Sequence, residues 1–245
     1  IRKIKESLES EKRFNPLKKI APWGINFIAH KSNKRYEKDL EIIKKYKPPL
    51  VITSLGDPSP VTKVVHAYNG IVFSDVINLK FAKKAIEKGA DGLILVSNGA
   101  GGHGGTFNPF AFVNEVKSIF EGPIVLAGGL SKGTDILAAE ILGADFVYMG
   151  SRFISVNESL ANEDYKNMLI DSNIEDIIYT DAFSGVEGNY LIPSIKRAGL
   201  NPNNLKQTDE SKDKEVLVAK KWKDIWEAGQ GIGMITKKQE IKEEI

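Results

Sequence analysis

Short apolar, β-branched runs alternate with amphipathic stretches through the first two thirds of the chain. The runs are Gly24–Ile28, Leu50–Leu55, Ile71–Val76, Gly92–Val96, Ile124–Ala127 and Phe146–Met149. Their starts lie 26, 21, 21, 32 and 22 residues apart, the repeat length of a strand followed by a helix. Leu50-Val-Ile-Thr-Ser-Leu and Gly92-Leu-Ile-Leu-Val are apolar at both parities. That pattern predicts strands covered on both faces, and hence a parallel sheet.

Between the runs, the spacing predicts helices over Lys34–Tyr46, Leu79–Lys88 and Thr134–Leu142. Gly89 and Gly143 supply their stops, and Thr134 is placed to cap the third. Gly89-Ala-Asp-Gly and Gly143-Ala-Asp-Phe read as one joint used twice, each leading from a helix into a strand. Residues 1–20 read as a helix with Ile1, Ile4, Leu8 and Phe14 on its apolar side. Repetition of this kind favours a closed barrel or an open doubly wound sheet. The reading adopted is an α/β chain of the TIM (βα)8 barrel class. Six units are countable where eight are needed, so residues 1–156 are read as strands three to eight. The first one or two strands, about 45–60 residues for two, are expected to be missing. Residues 157–245 are read as a helical and loop extension packing on the barrel. It includes a helix near Ala161–Ser172, a loop-rich Thr180–Tyr190, a polar stretch over 206–215, a helix over Val216–Ala228 and a surface helix from Lys237.

The chain has 245 residues, enough for one large α/β barrel. Lys and Arg number 34 against 32 Asp and Glu, and so slight an excess gives no support to a nucleic-acid groove. Cysteine is absent, which excludes disulfides, thiolate nucleophiles and Cys-ligated metal clusters. No apolar run reaches the roughly 18 residues of a membrane span, and the N-terminus lacks the apolar core of a secretion signal. A cytoplasmic, reducing compartment and no membrane partner are expected.

Candidate chemistry concentrates in Ser97-Asn-Gly-Ala-Gly-Gly-His-Gly-Gly105, which follows a predicted strand. Catalytic groups of such barrels sit at the carboxyl ends of the strands. Five glycines in nine residues carry a large entropic cost that an ordinary connector has no need of. They let main chain approach a flat ring or a phosphate and leave His103 unobstructed as a base. The plainer reading is a flexible loop with an incidental histidine. Gly128-Gly129 and Gly150-Ser151 end the last two predicted strands, where barrels commonly hold a phosphate, though such glycines also serve tight turns. No Walker loop occurs. His30 reads as part of a solvated loop and His66 as a helix-surface residue. Three scattered histidines do not make a metal site. Asp75 and Asp181 are candidate acids or orienting groups, Asp75 equally a loop cap. Trp222 and Trp226, four apart, suggest a helix packed on the barrel.

Gly101-Gly-His-Gly-Gly, Ala127-Gly-Gly and Met149-Gly-Ser-Arg-Phe resemble the signature blocks of the nitronate monooxygenase (2-nitropropane dioxygenase-like) flavoproteins. Pro22-Trp-Gly-Ile-Asn26 and Ala228-Gly-Gln-Gly231 resemble two further blocks, and flavin-type enoyl reductases share several of the set. The resemblance implies a barrel with non-covalent FMN that oxidises nitronates or nitroalkanes with O2. By it, His103 is the catalytic base, and Gly101 and Gly102 line the flavin. Gly128, Gly129, Gly150 and Ser151 hold its phosphate, Asn26 is a polar neighbour, and Gln230 reaches in from the C-terminal segment. A small-molecule substrate and O2 are the expected partners, with homo-oligomerisation allowed. Two departures stand out. Many members carry Lys-Gly where this chain has Ser74-Asp75, and the family's opening strand with its apolar-Pro-Met motif is not in the sequence. The alternatives are an NAD(P)H-dependent enoyl-thioester reductase, a non-flavin phosphate-binding barrel acting as aldolase or isomerase, and a non-catalytic relative.

Overall fold

The computed structural model describes residues 1–30, 33–207 and 224–243. The chain divides into two compact units, Ile1–Ile94 with Ile119–Pro123, and Leu95–Ser118 with Ile124–Ile245.

The first unit runs α1 (Arg2–Phe14), β1 (Gly24–Ile28), α2 (Tyr36–Tyr46), β2 (Leu50–Ser54), α3 (Ser59–His66), β3 (Ile71–Val76) and α4 (Leu79–Glu87), then enters β4 (Gly92–Val96). Its strands are parallel, with Gly24 opposite Leu50 and Leu50 opposite Ile71. Side chains alternate between the two faces of a strand, so this register sorts them into two sets. Phe27, Val51 and Val72 share one face and are buried with Leu40 and Ile43 of α2 and Val61 and Val65 of α3. Asn26, Ser54 and Asp75 share the other face of three neighbouring strands, Asn26 in the middle of β1 and Ser54 and Asp75 towards the carboxyl ends of β2 and β3. α1 is shorter than expected and its apolar side is not buried. Pro16 disfavours helical geometry at Asn15, which takes φ −136° and ψ 78°.

The second unit carries β5 (Gly102–His103), α5 (Pro109–Lys117), β6 (Ile124–Ala127), α6 (Gly133–Leu142), β7 (Phe146–Tyr148), α7 (Ser151–Ile154), α8 (Glu163–Ile170), β8 (Ile177–Thr180), β9 (Gly188–Leu191) and α9 (Ile192–Arg197). β6 and β7 pair in parallel, and Ser97 N–H donates to the Ala127 carbonyl, 2.9 Å. The repeated Gly-Ala-Asp joint has one physical purpose in both places. Asp91 Oδ2 accepts from Val72 N–H at 2.7 Å, while Asp91 N–H donates to the Val72 carbonyl at 2.8 Å. Asp145 does the same to Ile124, at 2.8 Å in each direction. Each aspartate thus clasps the start of the preceding strand.

Further elements differ from the sequence expectation. Thr134 lies inside α6. Its start is capped instead by Asp135, whose carboxylate accepts from Ser131 and Lys132 N–H at 2.8 and 2.9 Å. Within the loop-rich stretch, β8 and β9 form with β5 an antiparallel sheet of order β5-β9-β8. Residues 224–228 are not helical: Glu227 bridges to Tyr190, and Leu191 N–H donates to the Trp226 carbonyl. Tyr165 of α8 stacks on Trp226 at 4.7 Å and Arg197 of α9 covers its ring at 3.8 Å. Trp222, the rest of the expected helix and most of the polar stretch over 206–215 lie outside the described residues. In the tail, Ile241–Glu243 forms a single 3-10 turn.

Candidate functional site

Most of the residues singled out in the sequence meet in the second unit. The glycine loop after β4 is overlain by the segment Glu227–Gly231. Gln230 N–H and Gly129 N–H both donate to the Gly99 carbonyl, at 2.9 and 3.1 Å. A Cβ on Gly101 would stand 2.7 Å from Gly229 N, and one on Gly99 would stand 3.0 Å from Gln230 Oε1. Gly128, at φ +127°, backs onto Ser97 Oγ and the Asn98 carbonyl. Gly102, at φ +73°, points the same vacancy at Glu227 Oε2, 2.8 Å away. Side chains are therefore absent at these positions because the protein's own chain needs the space. Gly129 and Gly150 are different: nothing lies within 4 Å of the place a Cβ would take.

Ser151 opens α7, and its Oγ accepts from Gly229 N–H at 2.9 Å. A hydroxyl that accepts keeps its own proton to donate. Gly129, Gly150 and Ser151 therefore offer open main chain and a hydroxyl, a set whose chemistry suits a phosphate. Gln230, expected here from the resemblance of its block, is tied to the same cluster through the Gly99 carbonyl, and the Gly229 amide through Ser151.

His103 ends the two-residue β5, opposite Gly188 of β9. Its Nε2 lies 3.0 Å from Ser184 Oγ. That hydroxyl in turn donates to the Val186 carbonyl at 2.9 Å, and a carbonyl can only accept. Nε2 donates where the Ser184 proton goes to Val186 and accepts where that proton turns to the ring, so the contact orients the imidazole through Nε2 in either tautomer. Ser184 was missed in the sequence because nothing local marks it as the partner of a residue 81 positions away.

Asn26 lies in the first unit, exposed in the middle of β1. Ser54 Oγ is 2.8 Å from Asn26 Oδ1 and 2.5 Å from Asp75 Oδ2. Burial pushes the Asp75 carboxyl up from 3.8 to about 6, with the Ser54 hydrogen bond opposing. Its Oδ1 is shut off from water without a hydrogen-bond partner among the described residues. His66 is exposed on α3 and meets Asp91 at 2.9 Å. His30 lines a cavity of about 760 Å3 with Asn33, Lys34, Tyr36 and Asp57, between the loops that follow β1 and β2. Among the described residues no three metal-ligating side chains gather, and no helix is long and apolar enough to cross a membrane.

Comparison with known proteins gives a consistent result. The family model described as nitronate monooxygenase matches residues 5–245. A probable nitronate monooxygenase of Staphylococcus haemolyticus is 30% identical over 165 residues, 62% of this chain and 46% of that protein. A nitronate monooxygenase of Paraburkholderia phytofirmans is 27% identical over 175 residues, 67% of this chain and 48% of its own. The match thus spans about half the length of these relatives. Among solved structures, FabK from Thermotoga maritima superposes with TM-score 0.78 at 26% identity, over 96% of this chain and 76% of that one. Nitroalkane oxidase from Streptomyces ansochromogenes superposes with TM-score 0.72 at 20% identity, over 96% and 81%. These likenesses place the fold in the α/β, TIM-barrel class.

Proposed function

The chain belongs to the nitronate monooxygenase family, and from that premise we propose that it is an FMN-dependent oxidoreductase acting on nitronates and nitroalkanes with O2, His103 being the base. The observation that carries this reading is the environment of His103. Its ring is pinned through Nε2 by Ser184 beside a glycine loop, in the same unit as the open turns at Gly129 and Gly150.

The residues present fit a phosphate-tailed cofactor. Gly129, Gly150 and the Ser151 hydroxyl would hold the phosphate, while Gly101, Gly102 and Gly128, whose Cβ positions the chain's own atoms fill, would meet the cofactor only through their peptide groups. Gln230, tied to Gly99, would close the loop from above. The assignment of Asn26 rests on the resemblance of its own block. Bound FMN supplies the electron acceptor and delivers the electrons to O2. The protein's part is the proton. A nitroalkane loses its α-proton slowly because charge must move onto the nitro oxygens. A histidine of near-neutral pKa in hydrogen-bond reach takes that proton, leaving nitronate and imidazolium, and contributes about two to four orders of magnitude. Ser184 holds the ring through Nε2 and sets its orientation.

The test has two parts. Anaerobic mixing of the FMN-loaded protein with a nitronate should bleach the flavin, whereas bleaching by NADH or NADPH alone would establish the enoyl-thioester reductase reading instead. His103→Ala should retain FMN and lose turnover on neutral nitroalkanes far more than on preformed nitronates. Equal retention of both activities would remove His103 from its role.

A further inference from the structure

We propose that Asp75 is a positioning residue whose proton decides, through Ser54, whether Asn26 presents a hydrogen-bond donor or an acceptor on the exposed face of β1. The argument is one of proton counting. Ser54 has a single hydroxyl proton, yet its oxygen sits within hydrogen-bond distance of two oxygens, Asn26 Oδ1 at 2.8 Å and Asp75 Oδ2 at 2.5 Å. Only one of them can receive that proton.

Two arrangements satisfy the chain. With Asp75 protonated, its O–H donates to Ser54 Oγ, Ser54 donates to Asn26 Oδ1, and the Asn26 NH2 is turned outward as a donor. With Asp75 ionised, Ser54 donates to the carboxylate. The Asn26 amide must then turn over so that Nδ2 donates to Ser54 Oγ, and the carbonyl oxygen faces outward as an acceptor. The two amide orientations have almost the same shape, so the hydrogen-bond network alone selects between them. Asn26 is exposed, and it is therefore the end of the chain that can meet a ligand.

The surroundings keep the choice balanced within the physiological range. Asp75 Oδ1 is buried without a partner among the described residues, which disfavours the ionised form. No other charged residue occurs in β1, β2, β3 or β4. On the helices packed against β3, Lys63 and His66 of α3 and Lys80, Lys83, Lys84 and Glu87 of α4 are all exposed, and His66 is taken up by Asp91. Of the nearby loop groups, Asp57 is held by Ser59 and Lys88, and His30 is exposed. Burial and the Ser54 hydrogen bond govern the carboxyl, and they bring its pKa to about 6. The consequence for a ligand rests on the assignment of Asn26 made above.

The experiment reads the relay first in the protein without ligand. Nuclear magnetic resonance of the Asp75 carboxyl carbon and the Asn26 side-chain NH2 is followed from pH 4 to 8. Both signals should move with a shared midpoint near 6, and in Ser54→Ala the Asn26 response should disappear while Asp75 still titrates. An Asp75 that does not titrate in this range, an Asn26 that ignores it, or an Asn26 response surviving in Ser54→Ala overturns the proposal. FMN is then the probe for the ligand. The ratio of its dissociation constants at pH 5 and pH 8 should differ about tenfold between the parent and Ser54→Ala, the scale of one hydrogen bond made or lost. Comparing ratios cancels the titration of the phosphate, and equal ratios overturn the ligand-facing part. If FMN bound at neither pH, the flavin reading would fall, and the resonance data would still decide the relay.

Discussion

Ser151 Oγ accepts a hydrogen bond from the main-chain N–H of Gly229 at 2.9 Å, tying two sequence blocks 78 residues apart. One block ends the last parallel strand and the other lies over the glycine loop. The contact makes a single hydroxyl responsible both for seating that segment and for the donor facing the proposed phosphate. Ser151→Ala should therefore cost about 1 kcal/mol of stability and weaken FMN binding about tenfold, checked by thermal melts and fluorescence titration. Ser151→Thr should restore most of both.

The glycines divide into two classes that substitution to alanine will separate. Gly101→Ala drives a Cβ to 2.7 Å from Gly229 N, main chain against main chain, and should destabilise by about 1–3 kcal/mol. Gly150→Ala meets open space at a negative φ of −106° and should change the melting temperature little. Its cost should appear instead as lost FMN affinity, since the added methyl occupies the room left for the phosphate. Gly129 combines open space with φ +70°, so its alanine variant should lose about 1 kcal/mol from backbone strain alone.

Asp75 should shape the pH dependence of stability. Its carboxyl binds a proton more tightly folded, at about 6, than unfolded, at 3.8. Between those values the folded state holds more protons, so the contribution is full below pH 3.8 and is lost as pH rises through about 6. The amount is about 3 kcal/mol. Asp75→Asn removes this slope, and urea unfolding at a series of pH values should show the variant losing less stability than the parent between pH 4 and 7.

Ser184→Ala leaves His103 in place but removes the group that orients its ring through Nε2. The expected result is a fall in nitroalkane turnover of about tenfold with little change in KM, together with a shifted acid limb of the pH–rate profile. An unchanged profile would show that Ser184 only packs.

The sequence disclosed the parallel strands well because strands buried on both faces are continuous apolar runs. Gly24–Ile28, Ile71–Val76, Gly92–Val96 and Ile124–Ala127 are found with the predicted bounds. It did not disclose the antiparallel sheet. Gly102–His103 is too short to show any period, and Gly188-Asn-Tyr-Leu is wholly buried yet mixes polar and apolar residues. Thr134 was credited with a cap because hydroxyls suit that position, but Asp135 reaches back with a stronger acceptor. Asn26 stands out in the sequence through the resemblance of its block, and Asp75 as a candidate acid or loop cap. Their connection through Ser54 does not stand out, because it depends on strand register, which a single sequence does not reveal.

The aspartate clasps at Asp91 and Asp145 give two of the strand–helix repeats a fastening to the strand before them. The joint uses only a carboxylate and the main chain of its neighbour, and it is indifferent to which side chains the strands carry. A lineage built this way can diversify the loops at the opposite ends of its strands while the stitching between modules stays untouched.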